Sequence, residues 1–434
     1  MVTVGNAAAW SRAHPAVRRR FPRIEEDQFG TRRLYLNSAA GSLMADASIR
    51  ALSEAALALN PMPGRVTPAE TATGELHERV RRLAADFLSA RSAAEISFHA
   101  SSTAALSALS FAMRSVLGPG SGLVVTDLDH MANVSPWEDH WGRERGRTVR
   151  RARVTPEGRL DLDHLLSIVD ERTGLLAVTM ASNGLGTIVP LKEVVRAVRA
   201  KAPSCLLVVD AVHHALHGPI DVGAIGCDAL VFSGYKVFGP MVGILWVEDG
   251  LGRRLAPYRV ETNKDEPPYK FEMGMLNSAV LASLGAALEY WLELGETLGF
   301  GGGGTAGTEA ARPARFQAVL DSVAGYETAI SEAALEGFRR LDPSAVRLFG
   351  LSDPARPAER DPTFAFEVRG QSAEETKLRL WRDHRIQIAD GNHYSAAVVR
   401  HLGRSALCRA SFAHYDTVDA ARRLIEALAD ISKT

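Results

Sequence analysis

Two stretches, V-V-D-A-V-H-H from Val208 to His214 and F-S-G-Y-K-V-F-G-P from Phe232 to Pro240, decide the fold. The apolar run of the first stretch ends at Asp210, and that of the second is followed at once by a turn that carries Lys236. We therefore expect two neighbouring strands with a carboxylate at the end of one and a lysine just past the other. In open α/β sheets ligands bind at that edge, so the pattern predicts an α/β protein with a site there.

The chemistry that most needs such a pair is that of pyridoxal phosphate, which forms a Schiff base with a lysine amine while a carboxylate keeps its ring nitrogen protonated. The alternative is that Asp210 caps a helix and Lys236 is a solvated loop lysine. Lys236, however, lies among apolar residues and near Gly234 and Pro240, which indicates a tight turn. Ser233 adds a phosphate donor, so we favour the cofactor.

The wider pattern resembles the class V aminotransferases, and within them the cysteine desulfurase-like enzymes. In that family one strand ends in D-x-x-(H/Q), and a later one runs C-D-x-x-x-F-S-x-H-K-x-x-G-P. This chain has D-A-V-H from Asp210 to His213 and C-D-A-L-V-F-S-G-Y-K-V-F-G-P from Cys227 to Pro240. The resemblance, from about Leu34 to the C-terminus, implies the pyridoxal phosphate fold type I. That fold has a large domain with a mostly parallel seven-stranded sheet and a smaller α+β C-terminal domain.

Length and composition set the outer limits of the protein. The 434 residues exceed one ordinary domain, and 46% are hydrophobic. The formal net charge of −1 gives no reason to expect nucleic acid or a membrane surface as partner. The three cysteines lack disulfide or zinc-ligand spacing, so we expect no metal. With no signal peptide or long apolar segment in the sequence, we expect a soluble cytoplasmic protein.

The domain boundaries are predicted from composition and from the resemblance. Residues 1–33 form an arm with a short helix that joins the small domain, and residues 34–297 form the large cofactor-binding domain. Residues 298–315 are a flexible glycine-rich loop, and residues 316–434 form the small domain. The resemblance also implies a homodimer with active sites at the subunit interface.

Ser102 and Thr103 begin a helix after a strand, where unpaired N–H groups and the helix dipole favour an anion. Helix capping alone would explain both residues. The family's phosphate cradle falls at this point, and the resemblance implies that Ser102, Thr103 and Ser233 bind the cofactor's phosphate.

Three further residues match family positions around the cofactor ring. His130 matches a histidine that stacks on the ring and assists proton transfer. Asn183 matches an amide that donates to the phenolic oxygen, although Asn-Gly is also an ordinary turn signal. His213 is expected to face the ring, whereas His214 and His217 are expected to satisfy local hydrogen bonds.

The substrate side of the site is predicted from three other segments. Arg409 lies in C-R-A-S-F-A-H-Y-D-T, close to a family motif whose arginine binds the substrate's α-carboxylate. Ala40 belongs to an N-S-A-A-G stretch that resembles one lining the family's substrate pocket. Asn392 belongs to A-D-G-N-H-Y, and the residues after it are candidates for specificity, namely His393, Tyr394 and Ser395.

The chain departs from the family at three points. Met275 replaces a threonine that reaches the phosphate held in the partner subunit, and Tyr235 replaces the usual histidine before Lys236. The segment I-A-D-G-N-H-Y-S-A-A-V from Ile388 contains no cysteine, although a desulfurase needs a thiolate there to accept sulfur as a persulfide. Cys408 is expected to be buried and protonated, and so a poor substitute.

These departures favour β-elimination, with C–S cleavage of cysteine or an S-substituted cysteine, by a pyridoxal phosphate-dependent lyase. The alternatives are an aminotransferase or epimerase acting on a larger amino acid, or a cysteine desulfurase. Catalysis is expected to rest on Lys236, Asp210 and His130. A non-enzymic relative is disfavoured because Lys236 and Asp210 are both present.

Overall fold

The structure is a computed structural model that describes residues 4–59, 62–300 and 311–433. Its strands are β1 (Leu34–Tyr35), β2 (Ile96–His99), β3 (Gly122–Thr126), β4 (Val149–Ala152), β5 (Thr173–Thr179), β6 (Leu206–Asp210), β7 (Ala229–Ser233), β8 (Gly243–Val247), β9 (Val346–Phe349), β10 (Thr363–Val368), β11 (Ile386–Gln387), β12 (Ala389–Gly391) and β13 (Leu407–Ser411). Its α-helices are α1 (Val4–Arg19), α2 (Asp46–Ala58), α3 (Pro68–Phe87), α4 (Ser102–Ala112), α5 (Ser135–Trp137), α6 (Leu162–Ile168), α7 (Leu191–Lys201), α8 (Val222–Ile225), α9 (Asp249–Arg254), α10 (Ser278–Thr297), α11 (Arg312–Arg340), α12 (Ala373–His384), α13 (Ala396–His401) and α14 (Val418–Ile431).

A seven-stranded sheet forms the centre of the molecule, in the order β2-β8-β7-β6-β5-β3-β4. Strand β8 runs antiparallel to β2 and β7, and the other neighbouring pairs are parallel. Every residue of β7 and β8 is buried, as expected for strands covered on both faces. The predicted mostly parallel seven-stranded sheet is confirmed.

The two strands that carry the opening motifs are neighbours in this sheet. Val208 pairs with Ala229, and Asp210 with Val231, in parallel register. The chain leaves β7 through one 3₁₀ turn, Gly234–Lys236. The carboxyl ends of β6 and β7 therefore meet at one edge of the sheet, which is where the sequence predicts the ligand site.

The C-terminal part of the chain builds a second, antiparallel sheet in the order β12-β13-β10-β9. Helices α11, α12 and α14 contribute buried side chains to the hydrophobic cluster on this sheet. Strand β1 pairs in parallel with β11, and Leu34 and Leu36 belong to the same cluster. The chain thus contacts the C-terminal unit before it enters the large sheet, and the boundaries at residues 34, 297 and 316 stay predictions.

The N-terminal helix α1 packs against C-terminal elements. The indole N–H of Trp10 donates to Ser322 at 3.0 Å, and its ring stacks on Tyr326 with centroids 4.3 Å apart. Arg18 donates to the carbonyl of Tyr415 at 2.7 Å. Most of the predicted glycine-rich loop, residues 301–310, lies outside the described residues.

Two helices differ from the sequence-based expectation. The amphipathic pattern of the sequence predicts a helix over residues 75–89, but α3 begins at Pro68 because Thr67 and Glu70 form a reciprocal capping box. Helix α2 was not predicted at all, and it packs against α10. Within residues 4–59, 62–300 and 311–433, none of the helices has both the length and the apolar character required to cross a bilayer.

Candidate active site

A cavity of about 1150 Å³ lies at the carboxyl edge of the sheet, between the large sheet and the C-terminal unit. The residues predicted as site residues all line it: Ala40, Ser102, Thr103, His130, Asn183, Asp210, His213, Ser233, Lys236, Asn392 and Arg409. The fold thus gathers side chains from segments up to several hundred positions apart into one place. Their individual roles stay predictions.

Lys236 is buried, with only 3% of its surface exposed. Its Nζ donates a hydrogen bond to the main-chain carbonyl of Ala39. Burial is the largest cause that lowers the lysine pKa to about 7, repulsion from Arg409 lowers it further, and attraction to Asp210 opposes both. The amine is therefore substantially neutral near pH 7, which is the form that attacks a carbonyl carbon.

Asp210 is the last residue of β6 and is also buried. One carboxylate oxygen accepts the N–H of Val212 at 2.9 Å. Burial raises the carboxyl pKa to about 6, while the hydrogen bond and the positive charge of Lys236 lower it. A cationic group beside Asp210 would favour its ionised form, so this carboxylate fits a protonated ring nitrogen.

His130 lies on the loop after β3. Its Nδ1 accepts the N–H of Ala132 at 3.0 Å, and burial lowers its pKa to about 4. The imidazole is therefore neutral and carries its proton on Nε2. The ring centroid of Tyr394 lies 5.6 Å from that of His130, so the loop after β12 closes over this histidine.

The N-terminus of α4 and the end of β7 form an anion cradle. Ser101 caps the helix by accepting the N–H of Ala104 at 3.1 Å, and the hydroxyls of Ser102 and Ser233 are 2.7 Å apart. Strand β8 passes so close that a Cβ on Gly243 would overlap the backbone of Ser101. These hydroxyls and the free N–H groups of the helix fit a phosphate.

Asn183 connects the two parts of the protein at the cavity. Its amide donates to the carbonyl of His393 at 2.8 Å and accepts the hydroxyl of Ser395 at 2.5 Å. Its main-chain carbonyl accepts Nη1 of Arg409 at 2.7 Å. One amide N–H is thus already used by the loop, and donation to the cofactor's phenolic oxygen stays a prediction that relies on the other.

Arg409 lies in β13 and is 2% exposed. Burial lowers the guanidinium pKa to about 10, so the group remains cationic at neutral pH. Its Nε is buried without a hydrogen-bond partner among the described residues. A buried cation with an unused donor at the cavity suits a substrate carboxylate.

The three cysteines are all described and all buried: Cys205, Cys227 and Cys408. Burial raises the pKa of each thiol to about 12. None lines the cavity, and the thiol of Cys408 points to the carbonyl of Ala373 in α12. The expectation that Cys408 is buried and protonated is confirmed.

His214 and His217 make hydrogen bonds, as expected, but their partners are distant in sequence and not local. His214 Nδ1 lies 3.1 Å from a carboxylate oxygen of Asp361, 147 positions away. His217 Nδ1 lies 2.8 Å from Glu327, 110 positions away. A single sequence carries no local signal for partners that another part of the fold contributes.

Further cavity residues were not among the predicted site residues. His140 and Met241 line the cavity, as does Tyr235, whose ring centroid lies 5.4 Å from Nζ of Lys236. His140 follows α5 in a short π-helical segment, and Met241 precedes β8. Neither His140 nor Met241 lies in a motif with recognisable chemistry, so their place in the cavity is seen only in the folded structure.

Around Met275 the surface is apolar. Met275 is 62% exposed, and Met241, Tyr258 and Met273 are exposed beside it around a second cavity of about 840 Å³. Met241 lines both cavities, so this apolar face borders the active site.

The residues around Lys236 fit pyridoxal phosphate. The charges that act on its amine are those of Arg409 and Asp210, and Ser102 and Ser233 lie at a helix N-terminus on the same cavity. Nδ1 of His213 is buried without a partner among the described residues. An anionic, flat cofactor would use each of these groups.

Comparison with known proteins agrees with this geometry. The family model for class V aminotransferases matches residues 34–297. A cysteine desulfurase of Serratia proteamaculans is 30% identical over 435 residues, covering 96% of this chain and 98% of that protein. One of Pectobacterium atrosepticum is 31% identical over 370 residues, covering 82% of each.

Solved structures show the same fold. The apo cysteine desulfurase of Thermococcus onnurineus superposes with a TM-score of 0.82 at 23% identity, covering 96% of this chain and 98% of that one. A cysteine desulfurase of Escherichia coli gives 0.78 at 22% identity, covering 97% and 98%. The mostly parallel seven-stranded sheet is thus that of pyridoxal phosphate fold type I. The chain belongs to the class V aminotransferase family and is a cysteine desulfurase-like, pyridoxal phosphate-dependent enzyme.

Proposed function

We propose that this enzyme cleaves the carbon–sulfur bond of cysteine or an S-substituted cysteine by β-elimination. The observation that carries the proposal is a cavity without a thiol, in a chain whose relatives are named cysteine desulfurases. Accepting sulfur as a persulfide requires an accessible thiolate. Since all three thiols are buried, sulfur has no acceptor here and leaves as a thiol, or as hydrogen sulfide when cysteine itself is the substrate.

The cavity residues have distinct places in this proposal. Asp210 would hold the cofactor's ring nitrogen, and Ser102 and Ser233 its phosphate. His130 would lie against the ring. Arg409 binds the substrate's α-carboxylate and so orients the α-carbon toward Lys236. When bound, pyridoxal phosphate supplies an electron sink for the charge left at that carbon.

Lys236 is the base in this proposal. Its pKa of about 7 leaves enough neutral amine at neutral pH to take the α-proton. The C–S bond then breaks with its electron pair on sulfur, and the proton held by Lys236 is available to the departing thiol. Addition of one water to the remaining three-carbon unit gives pyruvate and ammonia.

The apolar face around Met275 supports a homodimer. Met241, Met273 and Met275 are between 62% and 80% exposed, and such a cluster on a soluble enzyme favours burial against a partner. Because Met241 also lines the active-site cavity, a second copy on this face would complete the wall of the site. We propose that the second copy supplies that wall.

Product analysis tests the reaction. The purified enzyme, loaded with cofactor, is incubated with L-cysteine and with a set of S-substituted cysteines, and products are identified by mass spectrometry. Pyruvate, ammonia and a free thiol in equal amounts are expected. Alanine with persulfide would overturn the proposal in favour of desulfuration. A 2-oxo acid that keeps its sulfur would overturn it in favour of transamination, and no product from any of them would exclude cysteines as substrates.

A further inference from the structure

Five buried ionisable side chains lie behind the active-site cavity, and we call them the interdomain cluster. They are His213, His214, His217, Glu327 and Asp361, and none is more than 7% exposed. The histidines follow β6, Glu327 lies in α11, and Asp361 precedes β10. The cluster thus joins the large sheet to the C-terminal unit, and of its members only His213 lines the active-site cavity.

Three members of the cluster place ligand atoms close together. One atom each from His213, His217 and Asp361 lies within 4.8 Å of the other two. His213 Nε2 and the nearer carboxylate oxygen of Asp361 are 3.9 Å apart. The two histidines flank a 3₁₀ turn, His214–Leu216, and their ring centroids lie 5.1 Å apart.

His217 has one ring nitrogen bonded to a carboxylate and the other without a hydrogen-bond partner among the described residues. Its Nδ1 bonds to Glu327 at 2.8 Å, while its Nε2 is buried without a hydrogen-bond partner among the described residues. A carboxylate on the far nitrogen is the usual arrangement around a metal-binding histidine, because it fixes the tautomer with the other nitrogen bare. The carboxylate of Asp361 is oriented by His214, whose Nδ1 lies 3.1 and 3.2 Å from its two oxygens.

We propose that His213, His217 and Asp361 bind a divalent transition-metal ion of the Zn²⁺ type. Two imidazole nitrogens and one carboxylate oxygen form a ligand set that suits zinc. The hydroxyl of Thr363 lies 3.3 Å from His213 Nε2 and would give up this hydrogen bond when that nitrogen binds the ion. The carboxylates of Glu327 and Asp361 together balance the charge of the ion.

The geometry and the route of entry are compatible with such an ion. An ion about 2.0 Å from each ligand holds ligand atoms roughly 3.3 Å apart, so atoms that lie within 4.8 Å of one another must close by at most about 1.5 Å. Rotation of the imidazoles supplies part of that movement. Because His213 lines the active-site cavity, the ion can enter from there. His213 Nδ1, which has no partner, stays available to the cofactor.

Bound metal would have a structural consequence. It would link the turn after β6 to the segment before β10, and so fix the C-terminal unit against the sheet at the back of the active site. It would also hold the His213 ring in one orientation. The site is thus a cross-link between the two parts of the protein, separate from the bond-breaking chemistry.

Metal binding is measured directly on tag-free, cofactor-loaded protein. The protein is freed of metal with a chelator, and Zn²⁺ is titrated against a coloured competing chelator, with metal content checked by plasma mass spectrometry. One Zn²⁺ per chain is expected. His217→Gln should abolish this binding. Glu327→Gln keeps all three ligands and should weaken binding about 10- to 100-fold.

His401→Gln is the matched control, because His401 is exposed on α13 and lies outside the cluster. It should bind Zn²⁺ like the wild type. Zn²⁺ should also raise the unfolding temperature of the wild type and of His401→Gln, but not that of Asp361→Asn. Less than one equivalent on the wild type, or unchanged affinity in Glu327→Gln, would overturn the proposal. These two outcomes decide the proposal even when His217→Gln does not fold, because neither is measured on that variant.

Discussion

At Lys236 the surroundings of one amine set its chemistry. An exposed lysine stays protonated throughout the neutral range. Burial of the amine beside the carbonyl of Ala39 and repulsion from Arg409 lower the Lys236 pKa. Attraction to Asp210 raises this pKa in part. The result is a lysine that can attack an aldehyde and exchange a proton near pH 7.

This environment predicts how the apoenzyme takes up its cofactor. Only the neutral amine attacks, so the rate of covalent attachment should rise with pH, with a midpoint at about 7, and level off above it. The rate is followed by the absorbance change after pyridoxal phosphate is mixed with apoenzyme at a series of pH values. A rate that keeps rising to the pKa of an exposed lysine would contradict the burial of Lys236.

Arg409→Met separates charge from burial at the same amine. Loss of the guanidinium removes one of the two causes that lower the Lys236 pKa, so the midpoint should move upward. Arg400→Met, at an exposed position on α13, should leave the midpoint unchanged. An unmoved midpoint in Arg409→Met would show that burial alone sets the pKa.

In strand β13, two neighbouring residues point to opposite faces, so one faces the cavity and the other faces the core. Arg409 turns toward the cavity, whereas its neighbour Cys408 packs in the core beneath α12. Adjacent residues of a strand point to opposite faces, so the thiol cannot reach the substrate without unfolding the strand.

Cys408→Ala tests this separation. The variant should release thiol from S-substituted cysteines at the wild-type rate, because the side chain takes no part in the reaction. Loss of the buried sulfur should lower the free energy of unfolding by about 1 kcal/mol. The rate is measured by thiol release and the stability by urea denaturation. A large loss of C–S cleavage with the fold intact would make Cys408 a sulfur acceptor after all.

The contact between β8 and the start of α4 makes a second element-scale prediction. In Gly243→Ala the new methyl group meets the backbone of Ser101, so strand and helix must separate. We expect a loss of about 1–3 kcal/mol in unfolding free energy and weaker cofactor retention, because the anion cradle widens. Cofactor retention is measured by equilibrium dialysis.

Gly118→Ala is the matched control, since a Cβ there meets nothing within 4 Å. It should leave both stability and retention unchanged. Equal effects from the two substitutions would mean that glycine loss in general, and not the close approach to Ser101, destabilises the protein.

Elements with their own sequence signal were predictable, and elements defined by packing were not. The apolar runs ending at Asp210 and before Lys236 predicted two neighbouring strands, and the register confirms them. Helix α3 begins earlier than its apolar periodicity predicts, because the capping box at Thr67 sets its start. The pairing of β1 with β11 joins residues far apart in sequence, for which a single sequence carries no local signal.

At the scale of the whole molecule, the site residues that lie in a sequence motif were predictable. The predicted site residues all line one cavity, although their roles stay predictions. The interdomain cluster was not predictable, because Glu327 and Asp361 lie in segments without a motif and contact the histidines only in the folded chain. Long-range contacts of this kind are a property of the fold and not of any window of sequence.

The apolar face around Met275 gives a prediction for the assembly. A double variant with Met273→Asp and Met275→Asp places two charges on that face, so the proposed dimer should dissociate into monomers. Light scattering coupled to gel filtration measures the mass. Leu378→Asp is the control, because Leu378 is an exposed apolar residue of α12 outside this face, and it should remain dimeric. A monomeric wild type, or a double variant that stays dimeric, would contradict this interface.

The most direct test of the central claim is to locate the cofactor on the chain. The enzyme, incubated with pyridoxal phosphate, is treated with borohydride to make the linkage permanent, digested and mapped by mass spectrometry. The chain has seven lysines, and one other, Lys270, is also buried. The account predicts a single modified peptide with the pyridoxyl group on Lys236, absent from Lys236→Ala. A label on Lys270 or elsewhere, or no label at all, would contradict it.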